Sequence, residues 1–140
     1  MNSTMPPPAG FQERPHTADW ALDVWAPDAP TLLAQAALGM AALMGIQTRS
    51  APRVSRTFDL AFADLESLLV GFLTELLYLI DRDGVTFDQF DLHLTEGRLQ
   101  ATVSGRPIDQ LAKEIKAVTY HNLRVLETER GLAATIVFDV

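Results

Sequence analysis

Cysteine is absent from the 140 residues, which excludes disulfides and thiolate metal sites and fits a reducing, cytoplasmic setting. Positive charge is scarce. Eleven Lys and Arg stand against 18 Asp and Glu, for a formal net charge of −7. Affinity for RNA or DNA comes mainly from cations that neutralise phosphates, so strong direct nucleic-acid binding is not expected. A basic protein partner or a bound cation suits the balance better. Long apolar runs are missing too: none approaches the roughly 20 residues that cross a bilayer, so no membrane span is expected. Met1 to Gly10 lacks the charged start and apolar stretch of a secretory signal. There is no GxGxxG, phosphate loop, HExxH or GxSxG, and nothing marks a nucleophile–His–acid triad.

What is present is enough for one core. Apolar residues make up 48% and charged residues 21%, a composition that folds and does not read as disordered. The three consecutive prolines of Pro6-Pro7-Pro8 suggest an extended, flexible tail. The organisation expected is therefore a tail over 1–14 and a single domain over 15–140.

Trp20, Leu22 and Val24 alternate with Asp19, Ala21 and Asp23, which predicts a strand from Asp19 to Trp25 with one buried face. Asp28 is placed to cap a helix from about Pro30 to Met44, with Gly45 as its stop. Gln47 to Pro52 reads as a polar loop, and Val54, Arg56, Phe58 and Leu60 as a second strand. Leu65, Leu68, Leu69, Phe72, Leu73, Leu76, Leu77 and Ile80 form a wide apolar stripe, so the helix from Asp64 to Ile80 should lie against a sheet. Asp81-Arg82-Asp83-Gly84 reads as the turn that closes it. An EF-hand loop is excluded there, since Val85 and Thr86 occupy the positions that need an acid and a Gly. Phe90 to Leu94 and Leu99 to Val103 alternate around Glu96-Gly97, a hairpin signal, which Gly105 and Pro107 should break. Ile108 to Lys116 reads equally as short helix or loop. Ala117 to Leu126 is β-rich, Glu129-Arg130-Gly131 reads as a turn, and Ala133 to Val140 as the last strand. Strands crowd together late in the chain, so the fold class expected is α+β: one domain, two helices packed on a mixed or antiparallel β-sheet.

The acids of interest sit at the two ends of this order. If the first and last strands meet, Asp19, Asp139 and the terminal carboxylate of Val140 form a negative cluster that costs stability unless a cation neutralises it. Carboxylates are hard oxygen ligands of the kind Ca²⁺ or Mg²⁺ takes. Asp19 alone also reads as a cap or turn acid. Asp139, beside the chain end in an otherwise apolar strand, is harder to explain that way. Of the three histidines, His93 should face solvent by alternation. His16 and His121 each stand beside a hydroxyl residue, as structural hydrogen-bonders or as bases, and the pattern favours the structural role.

Four blocks resemble the archease family, in its order. They are His16-Thr17-Ala18-Asp19, the helix from Asp64 through Leu77, Lys116-Ala117-Val118-Thr119-Tyr120-His121, and Val137-Phe138-Asp139-Val140. The resemblance covers the chain from about Pro15 onward and is weakest from Gly105 to Ile115. It implies a partner of RtcB-type RNA ligases, which act in tRNA splicing and RNA repair. Those ligases join 2′,3′-cyclic phosphate or 3′-phosphate ends to 5′-hydroxyl ends with GTP and Mn²⁺, through GMP carried on a histidine. The implied role is to promote that guanylylation and repeated turnover, as an activator with no reaction of its own. The family's acidic metal site matches Asp19, Asp139 and Val140, with a divalent metal ion, Ca²⁺ first, as the expected cofactor. Lys116 matches the lysine of its block, and His16 and His121 join it as candidates for activating the partner. Two other readings stand beside this one: a small metal-dependent phosphoester hydrolase using the same carboxylates, and a chaperone-like binding module presenting the Asp64 to Ile80 stripe.

Overall fold

The computed structural model describes residues 7–14 and 20–140. In chain order, β1 is Gly10–Arg14, β2 Trp20–Ala26, α1 Ala29–Met44, β3 Gln47–Thr48 and β4 Val54–Ala61. Then come α2, Leu65–Asp83, β5, Val85–Thr95, β6, Arg98–Gln110, β7, Ala117–Val118, β8, Leu126–Thr128, and β9, Gly131–Asp139. The expected α+β arrangement with two helices is present, and every strand pair among the described residues is antiparallel. The strands divide between two sheets. One runs β1-β2-β9, with β7 and β8 both on the far edge of β9; in the other, β6 is central, flanked by β4 and β5, and β3 pairs with its end. No described helix is long and apolar enough to cross a membrane.

Both helices touch both sheets. α1 packs on β1, β2, β9 and β5, and α2 on α1, β4, β5 and β7. Asp28 caps α1 by accepting the Thr31 N–H at 2.9 Å, and Gly45 ends it in the left-handed conformation. Small residues on α1 (Ala36, Ala37 and Gly39) let it lie close to β2: a Cβ on Gly39 would fall 2.5 Å from the Leu22 side chain. Most of the apolar stripe of α2 is core, with Phe72 and Leu73 fully buried, and only its C-terminal end, at Leu77 and Ile80, borders a surface groove.

Several expectations are corrected. Residues 10–14 are not tail. They form β1, in register with β2 from Gly10↔Trp25 to Arg14↔Ala21, and the Pro7 carbonyl accepts the Trp25 indole N–H at 2.7 Å. Phe11 packs against the core, and that burial draws the segment onto the open edge of β2. The stretch read as a polar loop holds β3, where Gln110 donates to the Gln47 side chain at 2.8 Å. Asp81-Arg82-Asp83 belongs to the last turn of α2, not to a closing turn. Arg82 there faces the negative end of the helix dipole, and Gly84, at φ 65°, makes the stop. Gly105 and Pro107 do not break the hairpin. β6 runs through both, because Pro107 pairs with Val85, the first residue of β5, where a missing donor is tolerated. Ile108 continues β6, and beyond Gln110 the chain is irregular, tied to the end of α1 by Ala112 and Lys113 N–H bonds to the Met44 carbonyl at 2.9 and 3.1 Å. Ala117 to Leu126 holds strand only at its ends, because Asn122 turns the chain with φ 52°.

Acid sensitivity follows from the helix ends. The Arg82 guanidinium, with Arg56 behind it, holds the Asp83 carboxyl down from 3.8 to about 2. Hydrogen bonds from Thr31 and Ser67 lower Asp28 and Asp64 in the same direction. A folded-state pKa below the unfolded one contributes stability above the ordinary carboxylate range and loses it as pH falls through the folded value. Urea midpoints should therefore drop between about pH 4 and 2, and Asp83→Asn should flatten that limb. An equally steep limb in the variant would remove Asp83 from the account.

Candidate functional site at the end of the last strand

β9 carries the candidate site because it is a central strand. Ile136 and Phe138 are fully buried on one face and Val137 is buried on the other, as a strand covered on both sides requires. Phe138 pairs with Trp20 on one edge and with Val118 on the other. The first and last strands of the expected order therefore do meet. Asp139 pairs with Ala117, and its carbonyl accepts the Lys116 N–H at 2.8 Å. Thr119 adds two bonds to the Val137 carbonyl, from its N–H at 3.0 Å and its hydroxyl at 2.9 Å. Val140 packs against the core. Backbone bonds and an apolar anchor thus fix the position of Asp139, while the residue itself is exposed.

Asp19 and His16 lie outside the described residues. In sequence, Asp19 immediately precedes Trp20, whose partner is Phe138. Among the described residues, no group of three or more His, Asp or Glu is placed to hold a metal. Asp139 and the Val140 carboxylate are oxygen donors only, which fits a hard divalent cation and not a thiophilic one.

Lys116 is exposed beside Asp139 and lines a groove against α2. His121 is elsewhere. It sits on the exposed turn after β7, where its N–H donates to the Thr119 hydroxyl at 3.2 Å and its ring Nε2 is 3.3 Å from the Asn122 amide nitrogen. With Arg14, Ala21, Asn122, Thr135 and Val137 it lines a separate cavity of about 260 Å³. The fold therefore brings Lys116 to Asp139 through the backbone, while His121 shares its cavity with Thr135 and Val137, which precede Asp139 on the same strand. His93 is exposed as expected, 3.0 Å from Asp91.

Sequence reasoning missed Lys113. Its ammonium lies 4.1 Å from the centre of the Trp20 ring, a cation–π contact that holds the segment after β6 against the start of β2. Glu66 was also missed: its carboxylate accepts the Val125 N–H at 2.7 Å and ties α2 to the segment before β8. Neither contact has a sequence signal, since the partners are far apart in the chain.

Fold and site together define a small antiparallel α+β protein whose last strand is clasped on both edges, leaving an exposed acid beside a lysine. A sequence profile of the archease protein family (MTH1598/TM1083) matches residues 11–140, and the chain belongs to that family. It is 31% identical to the archease of Methanopyrus kandleri over 138 residues, 93% of this chain and 99% of that one. The solution structure of Methanobacterium thermoautotrophicum protein 1598 superposes with a TM-score of 0.71 at 23% identity, covering 94% and 99% of the two chains. A Thermotoga maritima crystal structure, described as an archease and possible chaperone, gives 0.69 at 22% over the whole of both chains. These two structures share the fold.

Proposed function

We propose that this chain is a protein activator of an RtcB-type RNA ligase, promoting GTP-dependent guanylylation of the ligase histidine and repeated turnover in tRNA splicing and RNA repair. The observation that carries the reading is family membership joined to the exposed Asp139 at the clasped end of β9. In this reading Asp139, the Val140 carboxylate and Asp19 would hold a divalent cation, Ca²⁺ in the first place, which supplies charge for positioning phosphate or a second metal. Lys116 offers a mobile point charge beside them, with His16 and His121 as further contacts to the partner. The excess of acids, net −7, suits docking to a ligase basic enough to hold RNA. We place this activity in the cytoplasm.

The chain has no reaction of its own in this account. Nothing in the sequence marks a nucleophile or a general base for a phosphoester hydrolase. Most of the α2 stripe that a chaperone-like reading would use is buried. The test is GMP–ligase adduct formation from GTP with the cognate ligase, with and without substoichiometric amounts of this chain. A marked rise in adduct is expected. No rise, together with phosphoester turnover by the chain alone, would move the assignment to a hydrolase.

A further inference from the structure

A groove of about 750 Å³ runs between the C-terminal half of α2 and the segment from Ile108 to Val118. Met44, Leu77, Ile80, Ile108, Ile115 and Val118 form its apolar lining. Ile115, tethered by the neighbouring Lys116 N–H bond to Asp139, is buried beneath it. Four large apolar residues are exposed among the described ones, and two of them, Tyr78 at 53% and Leu111 at 38%, stand on this groove. Exposed apolar area gathered on one concavity is an interaction feature, whereas single scattered residues are not.

Charge says what kind of group the groove takes. Asp81 and Glu114 line it, against the single cation Lys116. Both acids are exposed, and neither is joined by an ion pair among the described residues. An occupant made only of apolar atoms would leave these carboxylates facing its flanks unpaired. An apolar side chain with Lys or Arg beside it satisfies floor and walls together.

We propose that this groove anchors a protein partner through a bulky apolar side chain seated on the floor, flanked by basic residues that meet Asp81 and Glu114. The proposal rests on the ligase reading, and the partner surface is the ligase's. The link is Lys116, whose side chain lines the groove while its N–H bonds to Asp139. A segment anchored here holds the ligase next to the acidic end of β9. The groove then supplies affinity, and the acids supply activation.

Binding and activation therefore separate in the experiment. The affinity of the cognate ligase is measured for the wild-type chain and for Leu111→Asp, Tyr78→Ala and Asp81→Lys/Glu114→Lys, at low and high salt, with circular dichroism to verify folding. Each groove variant should weaken binding about tenfold or more, as loss of a central anchor does, and regain activation at saturating concentration. The charge-reversed variant should also lose the salt dependence of the wild type. Asp139→Ala should bind normally and fail to activate. Folded groove variants that bind like the wild type, while Asp139→Ala still fails, would overturn the groove and leave the activator reading standing. Loss of self-association in Leu111→Asp with unchanged ligase affinity would assign the groove to a second copy of the chain and overturn the proposal. A wild-type chain that neither binds nor activates the ligase overturns both.

Discussion

Gly105→Ala is expected to destabilise the protein by about 4 kcal/mol or more, at the extreme end of single substitutions, and to lower its thermal midpoint by roughly 10–20 °C. Gly105 sits in the middle of β6, opposite Val54 on one side and Phe87 on the other, where β5 shifts register between Phe87 and Gln89. A Cβ there would lie 1.7 Å from the Thr86 carbonyl oxygen and 2.7 Å from the Phe87 Cα. Those atoms are backbone and cannot rotate aside. The methyl group must push β5 off β6, opening the longest hairpin of the fold and moving Phe87 out of the core. Gly84→Ala is the control. Gly84 has φ 65° but nothing within 4 Å of an added Cβ, so only the left-handed backbone penalty applies, about 1–2 kcal/mol. Thermal or urea unfolding of the two variants separates the causes. Equal losses would show that the approach of Thr86 is relieved by a small backbone shift.

Asp139→Ala is expected to leave stability within about 0.5 kcal/mol of the wild type and to remove activation of the ligase. The residue is exposed, and its strand bonds to Ala117 and Lys116 are made by backbone atoms that alanine keeps. If its carboxylate is a Ca²⁺ ligand, Ca²⁺ affinity by isothermal titration should fall at least tenfold, since even supporting residues of metal sites cost about 10–100-fold. Chelation of the wild-type chain should reproduce the loss of guanylylation, and added Ca²⁺ should restore it. A variant that binds Ca²⁺ normally yet fails to activate would keep Asp139 as a direct contact to the ligase and detach it from the metal. Full activation by a folded Asp139→Ala chain would end the acidic-site account.

The parts of the fold legible in the sequence are those fixed by nearest neighbours along the chain. Asp28 and Asp64 cap helices by accepting N–H bonds three residues on, and Gly45 and Gly84 end them through their own φ. Both are local signals, so both helices were readable, α1 almost to the residue. The β5–β6 hairpin was readable in the same way, from alternation around Glu96-Gly97. The stripe of α2 and the apolar run of β9 announced burial. The family blocks placed Lys116 and Asp139 in one motif set without showing that they touch.

Only the tertiary structure decided the rest, because those features depend on partners far away in the chain. Gly10–Arg14 is a strand because β2 offers an open edge. Gly105 and Pro107 stay in a strand because Thr86 fits against the one and β5 begins opposite the other. The division into two sheets, the placing of β7 on the edge of β9, the stacking of Lys113 on Trp20 and the separation of His121 from Lys116 are set by pairings between residues about 20 to 120 apart in the chain. A chain determines its local turns and caps by itself; it determines which acid meets which lysine only through the packing that selects one register among many.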